Sequence, residues 1–282
     1  MIPVLTYHAV NVTENTYEKN DHLALISDLR AIKENGWKII PLDSVVARHG
    51  GELNELDGQK VLALTFDDGS AFDFYELDHP TCGIQRGFIN ILRDFQNDYS
   101  LESGLDVHAS SFVISSPEAR SELDLKALIG KGWWGDEWWE DAQQTELVNI
   151  ECHSWDHNHP ALAHVAQENQ IKGDFTSIKT YMDCDRQVAV AGDFIQDKLR
   201  GKRPSYFAYP WGQASDYMST IYLPKYRHRH RFKAAFTTEP KPVSRDDCVW
   251  LLPRYVCGRD WNSPNEFQMM LENLAERKVR KL

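Results

Sequence analysis

The sequence predicts an α/β protein built on a parallel sheet. Short apolar runs alternate with helix-patterned segments along the whole chain. Several runs close on a carboxylate or an imidazole, at His8, Asp67, Asp68 and His153. No internal repeat or low-complexity linker divides the chain, so one domain is expected over residues 1–282. Seven or eight strands alternating with helices imply a parallel sheet, open or closed. The pattern alone does not separate a doubly wound sheet from a barrel.

The elements follow in order. Ile2 to Tyr7 is an apolar run ending at His8. Residues 21–35 place Leu23, Ile26, Leu29 and Ile32 at helical spacing, with Gly36 as terminator. Lys38 to Ile40 is the next strand, and Val61 to Phe66 a stronger one. A helix is expected over 84–95, with Ile84, Phe88, Ile91, Leu92 and Phe95 on one face. Ser111 to Ile114 and Leu147 to Cys152 are strands, and a long helix ends near Arg200, before Gly201. Tyr206 to Tyr209, Ala234 to Thr237 and Val249 to Val256 complete the strand set. Ser263-Pro264-Asn265-Glu266 is a capping box that opens the last helix.

The composition sets bounds. A formal net charge of −11 argues against general affinity for nucleic acid or anionic membranes. No stretch approaches the ~20 apolar residues needed to cross a bilayer. Neither a secretory signal nor a Cys-x-x-Cys is visible, and the five cysteines suit a reducing compartment. A cytoplasmic location is expected, with export of a longer precursor as the alternative.

The chemistry concentrates in two clusters. Thr65-Phe66-Asp67-Asp68-Gly69 closes an apolar strand, and burying ionised Asp costs several kcal/mol unless the charge is paired or bound to a cation. One carboxylate can hold a metal while the other stays free as a base. About eighty residues on, His153-Ser154-Trp155-Asp156-His157 follows a second apolar run. Two His at i and i+4 with an Asp from elsewhere form a facial metal site. Zn²⁺ is the default for such ligands, and Co²⁺ or Ni²⁺ fit them too.

Thr-Phe-Asp-Asp-Gly followed by His-Ser-x-x-His resembles the polysaccharide deacetylases of carbohydrate esterase family 4. Tyr206 through Gly212 is similar to that family's third motif. Pro3-Val4-Leu5-Thr6-Tyr7-His8 resembles the opening of the branch that deacetylates poly-N-acetylglucosamine. The resemblance runs from about residue 3 to about 257. It implies a distorted, incomplete (β/α) barrel of about seven strands, with the site at the C-terminal strand ends. It also implies a metal-dependent hydrolase that removes the acetyl group of an acetamido sugar. Asp67 would be the base, and Asp68, His153 and His157 the metal ligands.

The chain departs from the family pattern twice. The motif's aromatic residue, which offers a backbone N–H to the oxyanion, falls on Trp211, but the usual Arg that orients the base is Ala208 here. Arg254, in Leu252-Pro253-Arg254-Tyr255, is the candidate replacement, against a surface ion pair. No Leu-x-His follows Val249, so His8 of the Tyr-His pair is the candidate general acid. Asp156 and His159 are outer groups or alternative ligands.

Two segments have competing readings. A Trp-rich insertion at about 115–146 contains Gly132-Trp133-Trp134-Gly135-Asp136-Glu137-Trp138-Trp139, which is either a sugar platform or lid, or a small satellite core. Tyr226-Arg227-His228-Arg229-His230-Arg231 is either a solvated helix end or a clamp for a nucleotide- or lipid-phosphate carrier. The expected substrate is an acetamido sugar as a glycan building block, carrier-linked intermediate or polysaccharide, with the expected cytoplasmic location favouring the first two. The rival functions are an amide hydrolase acting on a formamide or cyclic imide, and a non-catalytic glycan-binding module.

Overall fold

The computed structural model describes residues 1–103 and 107–279. Its order is β1 (Val4–His8), α1 (Asp21–Glu34), β2 (Lys38–Ile39), α2 (Leu42–His49), β3 (Val61–Asp67), β4 (Leu77–His79), β5 (Gly83–Gln85) and α3 (Phe88–Ser103). Next come β6 (Ala109–Val113), α4 (Pro117–Ala127), α5 (Trp139–Gln144), β7 (Val148–Cys152), α6 (Tyr181–Cys184) and α7 (Ala191–Lys198). The chain ends with β8 (Tyr206–Ala208), α8 (Leu223–Lys225), α9 (Arg227–His230), β9 (Ala234–Phe236), β10 (Tyr255–Val256) and α10 (Pro264–Val279).

Seven parallel strands curl into a half-barrel in the order β10-β1-β3-β6-β7-β8-β9, with β2 also paired to β3. The fold is the expected incomplete (β/α) barrel. Side-chain alternation splits each strand between two cores. Leu5, Tyr7, Leu62, Leu64 and Phe66 pack outward with the helices. Val4, Val61, Ala63, Phe112, Tyr206, Ala208 and Phe236 fill the interior. The same parity places Thr6, His8, Thr65 and Asp67 inside, so the barrel changes from apolar to polar toward its C-terminal mouth.

Local signals account for the helix ends. Asn20 caps α1 by accepting from His22 and Leu23 N–H. Ser116 caps α4, with Pro117 in its first turn. In the predicted capping box, Ser263 Oγ accepts from Glu266 N–H at 3.2 Å, while Glu266 reaches back to Asn262 N–H at 2.6 Å. The long helix before Gly201 is α6 and α7 joined by a π-helical stretch, Asp185–Val190.

Two expected elements differ. Ile84 does not begin a helix: it lies on β5 in an antiparallel β4–β5 hairpin and is exposed, and α3 starts only at Phe88. The run 249–256 is not one strand. Leu252 bridges to Phe236 of β9, while Tyr255 and Val256 pair with β1. Pro253, which has no N–H, sits where the segment changes partner. This irregular stretch spans the seam of the barrel. Arg254 therefore precedes β10 and does not end a strand.

Candidate active site

Strand register brings the functional groups together. His8 and Asp67 are direct partners on β1 and β3, and Val113 and Cys152 are partners on β6 and β7. Asp68 turns at φ +75° and Gly69 at φ +72°. A Cβ on Gly69 would lie 2.4 Å from Val113 Cγ1, so only glycine lets the chain pass the end of β6. Asp68 O is fixed by Ile114 N–H and Trp134 Nε1–H, both at 3.2 Å. This turn aims both carboxylates into one pocket.

His153 follows β7 directly. Its Nδ1 lies 2.9 Å from Ala208 O, which requires the proton on Nδ1 and leaves the Nε2 lone pair facing Asp68. The loop then folds back through Ser154 (φ +71°) and His157 (φ +62°), with Ser154 Oγ accepting from His157 N–H. Asp68 Oδ1 stands 3.7 Å from each of His153 Nε2 and His157 Nε2. One ligand atom from each of the three residues lies within 4.8 Å of the others. Ligand atoms around an ion at ~2.0–2.2 Å stand roughly 3.4 Å apart, so the set fits a divalent metal. Burial lowers the pKa of both imidazoles, against the pull of Asp67 and Asp68 on His153. Neutral imidazoles are the form that ligates a metal. His157 Nδ1 is buried without a hydrogen-bond partner in the described structure.

Asp67 is gripped from the barrel seam. Arg254, fully buried, donates from Nη1 to Oδ1 at 2.7 Å and from Nη2 to Oδ2 at 2.8 Å. Its Nε donates to Thr237 O at 3.2 Å, which fixes the guanidinium plane. Burial pushes the Asp67 carboxyl up, but the Arg254 charge and its hydrogen bonds outweigh it and hold the carboxyl at about 2. The proposed replacement for the family's arginine is thus in contact with Asp67, and the surface-ion-pair alternative is excluded.

His8 lies on the pocket wall, and its backbone N–H donates to Asp21 Oδ2 at 2.7 Å. Burial raises the Asp21 carboxyl to about 6, with the neighbouring His8 acting the other way. Trp211 sits in a 3-10 turn at φ +52° and packs edge-on against His157 at 4.4 Å between ring centroids. The first bond of that turn runs from Gly212 N–H to Tyr209 O, so Trp211 N–H lies ahead of the turn's own bonding. Asp68, Ser154, His157 and Trp211 are non-glycine residues at positive φ. Such strain costs on the order of 1 kcal/mol or more per residue and gathers where function requires it.

The pocket has a volume of about 420 Å³. It is lined by His8, Asp67, Asp68, His153, His157 and Trp211, with Arg254 behind Asp67. Ile114, Trp134, Thr238, Val256 and Arg259 complete the wall. Sequence reasoning missed Thr238 and Arg259. Their one signal was position, since each follows shortly after a predicted strand. His159 reaches the lip, 5.7 Å from His157 between ring centroids, and does not join the ligand set. Asp156 points away: it accepts from Asn158 N–H, Ala166 N–H and Gln187 Nε2, and so pins the loop that carries both histidines.

The Trp-rich stretch forms part of the connection between β6 and β7. Trp138 and Trp139 are in the main core, and Trp134 packs in a small cluster with Ile114 and Leu123. The satellite-core reading therefore holds for Trp134 alone, which also faces the pocket. In the basic run, Arg229 pairs with Asp185 and Asp193, Arg231 contacts Gln196, and Arg227 lies over the Trp250 ring. These cations are engaged within the protein. Among the described residues, no helix is long and apolar enough to cross a membrane.

The barrel mouth thus holds an Asp-His-His cluster beside an arginine-clamped carboxylate. The family model for polysaccharide deacetylase matches residues 55–223, and the chain belongs to that family. No curated protein matches the sequence. Solved structures are similar across nearly the whole chain. The Streptococcus pyogenes deacetylase PplD in complex with acetate is 19% identical with a TM-score of 0.64, covering 96% of this chain and 97% of its own. A de-N-acetylase from Aggregatibacter actinomycetemcomitans is 16% identical with a TM-score of 0.63, covering 95% and 99%. IcaB from Ammonifex degensii is 15% identical with a TM-score of 0.58, covering 96% and 95%. The family implies a hydrolase acting on the amide bond of an acetylated sugar.

Proposed function

We propose that this protein is a metal-dependent N-deacetylase of acetamido sugars. The observation that carries the reading is the convergence of Asp68, His153 and His157 beside Asp67, which Arg254 holds ionised. Asp68, His153 and His157 would hold the metal, with Zn²⁺ the default for two imidazoles and a carboxylate. When bound, such an ion supplies a water of pKa lowered toward ~7 and positive charge near the acyl oxygen.

The protein's own groups account for the rest. Asp67 takes a proton from the attacking water, and Arg254 keeps its two oxygens in a fixed plane. Trp211 N–H donates to the acyl oxygen as negative charge develops there. His8, beside Asp67 on the neighbouring strand, gives a proton to the sugar nitrogen as the carbon–nitrogen bond breaks, releasing acetate and a free amine. Trp134 and Trp211 offer apolar walls to a sugar ring. The basic run at 227–231, with its arginines engaged elsewhere, adds nothing in favour of a phosphate carrier.

Calorimetric metal titration tests the assignment. Alanine at Asp68, His153 or His157 should each weaken metal binding strongly. Asp67→Asn should keep the metal and lose about 10²–10⁴-fold in rate. Tight stoichiometric metal in all three alanine variants would overturn the ligand set, and metal loss in Asp67→Asn would exchange the roles of the two aspartates.

A further inference from the structure

The first turn of α1 grips the turn that follows β1 at three points. Asp21 Oδ2 accepts from His8 N–H at 2.7 Å, and Asp21 N–H donates to Asn11 O at 3.0 Å. The third point is His22, whose Nε2 lies 3.0 Å from Ala9 O. On its other side, His22 Nδ1 lies 2.6 Å from Arg86 O, in the segment that joins the β4–β5 hairpin to α3. The ring is 1% exposed and packs against Phe72 and Phe88, at 5.8 and 4.6 Å between ring centroids. His22 therefore bridges the chain next to His8 to a second, separately anchored part of the fold.

A carbonyl only accepts, so a ring set between two carbonyls needs a proton on each nitrogen to make both bonds. A neutral imidazole makes one bond and turns a lone pair on the other oxygen, whereas the imidazolium makes both. Burial lowers the pKa of this ring, the two carbonyls raise it, and the charge of His79 on β4 lowers it further. Asp21, on the same helix turn, directs its carboxylate at His8 N–H. The Arg86 guanidinium is turned away into pairs with Glu76 and Asp94.

His8 depends on this support. Its Nδ1 is buried with no hydrogen-bond partner in the described structure, so nothing ties the ring from that side. The backbone of the strand end and of the turn beyond it aims the side chain at the pocket. A small misplacement of a reacting group is costly in rate.

We propose that His22 is a positioning residue for His8. It braces Ala9 O against Arg86 O and so keeps the His8 imidazole within reach of the leaving nitrogen, and the brace is complete when the His22 ring carries both protons. His22 does not line the catalytic pocket, so its effect passes through the backbone. This inference rests on the reading of His8 as the group that protonates the leaving amine.

The test replaces His22 by Phe, which keeps the aromatic packing and removes both polar contacts, in the metal-loaded enzyme. On the N-acetylglucosamine tetramer, kcat should fall by about tenfold or more, while hydrolysis of an aryl acetate changes by less than about twofold. Metal affinity should stay as in the wild type. The ratio of wild-type to variant kcat on the tetramer should grow as pH falls from about 8 to about 5, since the titrations the two proteins share cancel in it. His22→Gln keeps an amide donor and should show the same pattern at smaller size, which carries the comparison if His22→Phe disturbs folding. Imidazole ¹⁵N spectra give a readout that needs no turnover: the His8 signals, assigned by their loss in His8→Ala, should shift in the His22 variants. If the wild type releases no acetate from the tetramer, that failure falls on the deacetylase reading, and the spectra still decide the brace. Equal losses on amide and ester, a kcat ratio independent of pH, or unshifted His8 signals would overturn it.

Discussion

Arg254 reaches across the barrel seam and holds both oxygens of Asp67, at 2.7 and 2.8 Å, from a position with no solvent exposure. Removing one member of a buried charge pair leaves the other uncompensated and typically costs about 3–5 kcal/mol. Arg254→Leu should therefore destabilise the fold by roughly that amount in urea unfolding at pH 7. Adding Asp67→Asn to that variant should recover much of the loss. A destabilisation below about 1 kcal/mol for Arg254→Leu would mean that the pair is not held as described.

His8 faces the pocket from β1, directly beside Asp67. If it protonates the leaving nitrogen, His8→Ala should depress amide hydrolysis far more than hydrolysis of an activated aryl acetate. An aryloxide leaves without a proton, and an amine does not. Parallel rate measurements on the two substrates read the difference, and equal losses would assign His8 a structural role.

Gly69 carries the turn that delivers Asp68. Gly69→Ala adds a Cβ at a positive φ and against Val113. The variant should lose roughly 1–3 kcal/mol of stability and also bind metal more weakly, because Asp68 must shift with its neighbour. Adding Val113→Ala removes only the γ-carbons and leaves Val113 Cβ and Cα at 2.7 and 2.8 Å, so it should restore little of either. Thermal melts and metal titration together check this. Unchanged metal affinity in a destabilised protein would separate the turn from the site.

Glu151 points into the barrel below His153 and is buried, with Oε2 accepting from Ser205 and Tyr206 N–H at 2.7 Å each. Burial pushes its carboxyl up to about 8, against the lowering by those two N–H groups. In the unfolded chain Glu titrates near ~4.3. Between these values the folded protein keeps a proton that the unfolded chain releases, so stability falls as pH rises through the window. A Gln oxygen can accept the same two bonds without the proton. Glu151→Gln should match the wild type near pH 4 and exceed it at pH 8 by roughly 4–5 kcal/mol. Urea unfolding at the two pH values measures the difference, and a variant no more stable at pH 8 than at pH 4, relative to wild type, would refute it.

The site was largely legible because buried strands write themselves as apolar runs, and the residues that end them stand out. Val61 to Phe66 led to Asp67 and Asp68, and Leu147 to Cys152 led to His153. The role of Arg254 was legible only as a candidate, since its contact with Asp67 depends on a seam that closes over a long sequence separation. The expected face at Ile84 failed because its spacing to Phe88 is accidental. Gly87 was the overlooked signal: a Cβ there would meet Phe74 O at 2.6 Å, which marks the hairpin packed ahead of α3. The run 249–256 read as one strand because its residues are apolar, whereas Pro253 divides it between two partners. The Trp stretch stayed ambiguous because period alone does not say which indoles are covered.

The most direct test of the central claim is acetate release from an acetamido sugar by protein stripped with a chelator and then titrated with Zn²⁺. Activity should be absent in the stripped protein and should rise to a plateau near one equivalent of metal. Full activity in stripped protein, or no activity at any metal loading on any acetamido sugar tried, would contradict the account.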